Sequence, residues 1–209
     1  VTHHGVFDMA AFGAVPGLTI AAPMNEPELR NMMYTALGSG HPFMIRYPRE
    51  HGEGLPWRGE KFETLPVGRG RRLREGADVA LLTVGTVGNA AARAAGRAAA
   101  EGVSVAHYDL RFVKPLDEAL LDEVGRKFRR VVTVEDGSLR GGVGEAVAAF
   151  FNGRGYDVRV QRLGIGDEWV EHGTPGQLYA LCGYDEEGIL RALLDTCLLY
   201  TSPSPRDKR

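Results

Sequence analysis

Short apolar runs alternate with longer stretches of helical period along most of the chain, and the order of these patterns divides it into blocks. In the first, "LTIAAP" (18–23) is an apolar run stopped by Pro23. "NEPELRNMMYTALGSG" follows, with Asn25 placed as an N-cap and Pro27 and Glu28 in the first turn. Leu29, Met32, Met33 and Ala36 fall on one helical face, and Gly38 and Gly40 end the helix. "FMIRYP" (43–48) is a second short strand, closed by Pro48. Strand, helix and strand in so short a span predict a βαβ unit with parallel strands. It reads as the last unit of a sheet whose earlier strands are absent.

Residues 50–76 change character. Gly52, Gly54, Pro56, Gly59, Pro66, Gly68, Gly70 and Gly76 interrupt a charged stretch without helical period. A short hairpin fits within "FETLPVGRGRRLREG", but the block as a whole reads as an interdomain connection.

From residue 77 the alternation is regular. "DVALLTVGT" (78–86) is a nearly continuous apolar strand. A small-residue helix follows from Val87 to Glu101, with Ala91, Ala94, Ala95 and Ala98 toward the sheet. "VSVAHYDLRFV" (103–113) holds the next strand, and "PLDEALLDEVGRKF" is a helix with Asp117 near its start. Its Leu120, Val124 and Phe128 recur at one-turn spacing. "RVVTVED" (130–136), a helix in "GGVGEAVAAFFNGRG", a strand at 157–165 and two closing helices complete the pattern. Such strands between helices predict an α/β fold, a parallel sheet with helices on both faces over 77–195. The expected division is therefore 1–49, the end of an α/β domain; 50–76, a linker; 77–195, a second domain; and 196–209, a tail. That tail, with its Ser-Pro pairs and charged end, reads as disordered or as a non-native junction.

Composition narrows the partners. The 209 residues are 44% hydrophobic and 25% charged, and the net charge of −2 gives no attraction to nucleic acid or to an anionic membrane. No run approaches the roughly 20 apolar residues of a membrane span, and no secretory leader is visible. Cys182 and Cys197 form no CxxC pair, which suits a reducing, cytoplasmic setting and no metal site.

Four stretches carry candidate chemistry. His3 and His4 precede a glycine, which suits a tight loop near a small substrate; the alternative is a histidine bonded to its own loop. Arg46 and Arg49 of "IRYPRE" lie at the carboxyl end of a parallel strand, where open α/β sheets place ligands. The arginine fork matches phosphate and carboxylate oxygens, but pairing with Glu28 or Glu50 is the plainer alternative. The Gly141–Gly142–Gly144 turn resembles a phosphate cradle in outline only, and close approach of helix to strand is favoured. Glu135 and Asp136 suit acid–base work or capping of the next helix. Arg111 and Lys114 read as residues that position the sheet end and subunit contacts.

Together these stretches carry a resemblance. "THHGVFDMAAFGAVPGLTIAAPMNEPELRNMMYTAL…PFMIRYPR" resembles the end of the pyrimidine-binding domain of the 1-deoxy-D-xylulose-5-phosphate synthases, transketolase-like thiamine-diphosphate enzymes. "DLRFVKPLDEALLDE…VVTVEDGSLRGGVGEAV…LGIGDEWVEHGTPGQLY" resembles their C-terminal domain. The resemblance implies a cytoplasmic, homodimeric transferase joining pyruvate to glyceraldehyde 3-phosphate with loss of CO2. Its product feeds isoprenoid, thiamine and pyridoxal synthesis. It implies thiamine diphosphate and Mg2+, with their principal ligands upstream of this chain and none certain within it, so that the chain alone would be inactive. It implies a catalytic role for His3 and a substrate-phosphate-binding role for Arg49. Glu50 departs from the family's glycine after RYPR. Fragments of a 2-oxoacid dehydrogenase β subunit or of a transketolase, and a stand-alone interaction or regulatory module, are the competing readings.

Overall fold

The structure, a computed structural model, describes residues 5–49, 51–59 and 61–198. His3, His4, Glu50 and the tail beyond Leu198 lie outside the described residues. A single 3-10 turn, Gly5–Phe7, leads into α1 (Asp8–Gly13). The expected βαβ unit follows as β1 (Thr19–Ala21), α2 (Glu26–Ser39) and β2 (Phe43–Ile45), with β1 and β2 parallel. Asn25 caps α2, its Oδ1 accepting from the Glu28 N–H at 3.1 Å.

The regular block gives β3 (Arg71–Arg74), β4 (Val79–Val84), α3 (Val87–Ala100) and β5 (Val105–Asp109). It continues as β6 (Phe112–Lys114), α4 (Glu118–Lys127), β7 (Arg130–Ser138), α5 (Val143–Gly153) and β8 (Arg159–Ile165). α6 (Pro175–Leu181) and α7 (Glu186–Leu198) complete it. The large sheet has the order β3-β5-β4-β7-β8, and its strands from β5 to β8 are all parallel. Apolar side chains of α3 and α7 pack on one face, and those of α4 and α5 on the other. The alanines of α3 at 91, 94, 95 and 98 are fully buried, so the helix backbone lies close to the sheet. The expected layering holds.

Four features differ from the expectation. The stretch 103–113 is not one strand: it breaks at Arg111, whose φ is +58°, and β6 leaves the large sheet to pair antiparallel with β1. The small sheet thus reads β2-β1-β6. The Asp109 carboxylate accepts from the Arg111 N–H at 3.0 Å and holds that break. Second, the connection 50–76 contains β3, which adds to β5 as an antiparallel edge strand, with no hairpin partner of its own. Its sequence "RRLR", three arginines and one exposed leucine, lacks apolar alternation, as charged edge strands often do. Third, α7 runs to Leu198, past the expected boundary at 195, and Thr196 Oγ1 donates to Gln161 Oε1 at 2.7 Å.

The fourth concerns α2. Its buried face is Glu28, Asn31, Met32 and Thr35, whereas Met33 is exposed. The polar members of that face are bonded. Asn31 Oδ1 accepts from the Glu63 N–H at 3.3 Å, and Thr35 Oγ1 from the Leu65 N–H at 2.8 Å. A buried polar group costs little when it is paired, so these side chains strap the connection onto the helix.

Candidate functional site

A cleft of about 530 Å³ opens where the two sheets meet. One wall is the segment 45–49 leaving β2, and the other is formed by Asp136 at the end of β7, Ile165 at the end of β8, the loop 170–173 and α6. The carboxyl ends of parallel strands therefore converge on it, as fold rules for open α/β sheets place ligands.

The order of the site begins with Arg46. Its backbone N–H donates to Ala21 O at 2.9 Å, which keeps it in register with β1 one residue beyond the strand. Its side chain crosses to the other sheet and donates to Asp136 Oδ2 at 2.8 Å, with Asp8 Oδ2 at 3.6 Å from its Nε. Both members of the Arg46–Asp136 pair are largely buried. Tyr184 donates its hydroxyl to Asp136 Oδ1 at 2.9 Å, and Tyr179 to Oδ2 at 3.4 Å. Burial works against the charge on Arg46, but Asp136 more than offsets it and holds the guanidinium above its ordinary pKa. Burial, then the Asp136 carboxylate, pushes the Tyr184 phenol well up, so Tyr184 stays a hydrogen-bond donor at every pH of interest. Both oxygens of Asp136 are thus engaged by neighbouring side chains.

Pro48 turns the chain after Tyr47, and Arg49 stands exposed on the wall of the cleft. Among the described residues Arg49 makes no ion pair or hydrogen bond, and neither does His172 on the opposite loop. Of the two arginines at the strand end, one is consumed by structure and the other presents its fork to the cleft. Pairing of either with Glu28 does not occur; Glu28 is taken by Arg111 and Arg71.

The glycine turn before α5 is filled from within. Glu135 Oε2 accepts from the Val143 N–H and Oε1 from the Gly144 N–H, both at 2.8 Å. Burial pushes the Glu135 carboxyl up, opposed by those two N–H groups. A Cβ on Gly142 would stand 2.1 Å from Ser138 O, so the glycine is required by close approach. Helix-to-strand packing and capping, not a phosphate cradle, account for the turn.

A second cavity, of about 370 Å³, lies beside the amino end of α3. The large sheet changes winding direction at β4, between β5 and β7, and the amino end of α3 points at that switch. A Cβ on Gly88 would meet Met24 Sδ at 3.2 Å, and Asn89 Nδ2 donates to Met24 O at 2.8 Å. The segment after β1 therefore packs on the first turn of α3 and forms one wall of that cavity. Arg111 and Lys114 act as positioning residues in the same junction: Arg111 clamps Glu28, and Lys114 Nζ donates to Gly13 O at 2.9 Å.

Sequence reading missed Asp8, Tyr179, Tyr184 and His172. Only Tyr179 had a local signal, a polar tip on an apolar helix face, and nothing local ties either tyrosine to Asp136.

Comparison with known proteins agrees with this architecture. Residues 68–189 match the transketolase C-terminal domain, and residues 1–53 match the transketolase pyrimidine-binding domain. A Bacteroides fragilis protein named 1-deoxy-D-xylulose-5-phosphate synthase is 52% identical over 204 residues, covering 97% of this chain and 31% of that protein. Its namesake in Bacteroides thetaiotaomicron is 52% identical over 205 residues, covering 97% and 32%. The chain thus spans about a third of the length of the curated relatives it matches. Among solved structures, a split-gene transketolase in an inactive β4 tetramer superposes with a TM-score of 0.82 at 28% identity, covering 94% of this chain and 63% of that one. Sheet order, helical layers and sequence agree: the chain belongs to the transketolase family.

Proposed function

We propose that the chain is part of a 1-deoxy-D-xylulose-5-phosphate synthase, the enzyme that condenses pyruvate with glyceraldehyde 3-phosphate and releases CO2. The observation that carries this reading is Arg49, an exposed guanidinium without a partner among the described residues, on a cleft at converging strand ends. In the proposed enzyme Arg49 grips the aldehyde's phosphate, and His3 handles a proton at the reacting carbonyl. Residues 1–49 belong to the pyrimidine-binding domain and 77–195 to the C-terminal domain, with 50–76 between them. The full-length protein works as a cytoplasmic homodimer.

Thiamine diphosphate with Mg2+ is the cofactor this reading assigns to the full-length protein, where it would supply the carbanion chemistry. Among the described residues no group of three or more His, Cys, Asp or Glu could hold a metal ion. The turn at 141–144 is filled by Glu135. The described residues do not fit the diphosphate and its metal, and no step is assigned to them. The chain alone is expected to turn over neither substrate.

The test is Arg49→Ala in the full-length protein. A lost hydrogen bond to a charged group costs roughly 1.5–3 kcal/mol, or about 10- to 150-fold in affinity. The Michaelis constant for glyceraldehyde 3-phosphate should rise by that factor and that for pyruvate should stay within about twofold. Unphosphorylated glyceraldehyde should react as before. Equal slowing of both aldehydes would make Arg49 structural and end the proposal.

A further inference from the structure

We infer that Asp136 is the positioning residue for the substrate arginine: from the C-terminal domain it holds Arg46, and through Arg46 it sets where Arg49 stands. The inference rests on the phosphate-binding reading of Arg49.

Hydrogen bonding of the segment itself points this way. β2 ends at Ile45, and from there to Arg49 the chain has left the sheet. Among the described residues Arg46 is the only member of 46–49 with a hydrogen-bonded side chain; Tyr47 and Arg49 are exposed and Pro48 has no donor. The orientation of the turn therefore depends on one side-chain anchor, the 2.8 Å contact from Arg46 to Asp136. Asp136 is held in turn by Tyr184 at 2.9 Å and Tyr179 at 3.4 Å, which grip its two oxygens from α6 and the loop that follows it. The alternative anchor, Asp8, lies 3.6 Å from Arg46 Nε and is more exposed than Asp136. If Asp136 lost its charge, Arg46 would swing toward Asp8 and the turn would follow. A displacement of about 1 Å in a substrate-positioning group can cost on the order of 100-fold. A tenfold effect is thus well within reach of a rotation three residues from the guanidinium.

Asp136→Asn in the full-length protein tests this, since it keeps the volume and an acceptor for Tyr184 while presenting a neutral amide to Arg46. The Michaelis constant for glyceraldehyde 3-phosphate should rise about tenfold, with pyruvate and unphosphorylated glyceraldehyde within about twofold of the parent. In an Arg49→Ala background the same substitution should add no further loss on the phosphorylated aldehyde. Tyr184→Phe, which leaves the Arg46 contact intact, should have a smaller effect on the same constant. If Asp136→Asn does not fold, Asp136→Glu carries the test, because it retains charge but displaces Arg46, and the same selective loss is expected. Equal slowing of both aldehydes, or additive loss with Arg49→Ala, would overturn the inference. Selective loss with Arg49→Ala but none at Asp136 overturns the inference alone; no selective loss with Arg49→Ala overturns the phosphate reading and the inference with it.

Discussion

Arg111 grips Glu28 across 83 residues of sequence, its Nε and a terminal N–H donating to the two carboxylate oxygens at 2.9 and 2.8 Å. Arg71 shares one of those oxygens at 3.0 Å and also reaches Asp109 at 3.2 Å. The α2 helix of the small sheet is thereby fastened to the edge of the large one by two arginines and two buried acids.

Removing one partner of a buried pair leaves the other charge uncompensated, at a cost of roughly 3–5 kcal/mol. Arg71 remains to face Glu28, so Arg111→Ala should lower the unfolding free energy of the chain by about 3 kcal/mol, the lower end of that range. Arg111→Lys keeps the charge but loses the fork and should fall between the two. Urea denaturation with an unchanged slope would measure it; a loss below about 1 kcal/mol would show that the pair contributes little.

His107 and Asp109 point two opposing pH dependences at the same window. Burial, aided by Arg71 and Arg74, lowers His107 to about 4. It is held neutral with Thr83 Oγ1 at 2.9 Å from its Nε2. An unfolded histidine binds a proton below about 6.5, so this group's stability is complete above that pH and is lost as pH falls toward 4. Burial raises Asp109 to about 6 despite Arg71 and the Arg111 N–H. Its folded form holds the proton more tightly than the unfolded form, so its stability is complete below about 4 and is lost as pH rises to 6. Each contribution is about 3 kcal/mol, and the two nearly cancel. Between pH 4 and 6 the pair should therefore add almost no slope to the melting temperature. His107→Gln should expose a fall with rising pH, and Asp109→Asn a rise. Parallel profiles in the two variants would contradict the assignment.

At the glycine turn, geometry ranks two neighbouring substitutions against intuition. Gly141 has φ of +69° but only Ala10 Cβ nearby, at 3.4 Å, whereas Gly142 has ordinary dihedrals and no room. Gly141→Ala should cost about 1–2 kcal/mol for the left-handed conformation. Gly142→Ala must push Ser138 O and the Glu135 carboxylate aside and so break the cap on α5. Its cost should exceed that of Gly141→Ala, at about 3 kcal/mol from lost capping plus strain. Chemical melts of the two variants give the order directly, and the reverse order would refute it.

The layers of the large sheet were legible because short apolar runs, such as Val79–Leu82 in β4 and Val131–Val132 in β7, mark the strands and the helices between them carry caps at readable places, such as Asp117 accepting from Leu120 N–H at 3.1 Å. Arg49 was legible as a strand-end arginine beyond a proline. What stayed hidden was decided by partners far away in sequence. Apolar period placed Met33 on the inner face of α2, but the bonded side chains of Asn31 and Thr35 took that face instead. The break at Arg111 depends on the Asp109 carboxylate and on an unpaired edge at β1, neither of which leaves a turn residue in the sequence. The tie from Arg46 to Asp136 spans 90 residues and has no local pattern.

The segment 105–114 serves one sheet with its first half and the other with its second. This makes the late part of the chain a strand donor to the early part. A cut in the connection, between Gly54 and Arg58, would sever the covalent path without dividing the fold, since β6 would still complete the small sheet from the other fragment. The first piece would lack the third strand of its sheet, whereas the second would keep all five strands of its own, so the dependence would run one way. A gene split at this connection would thus make the first product depend on the second for a strand, while the second would keep its own sheet intact.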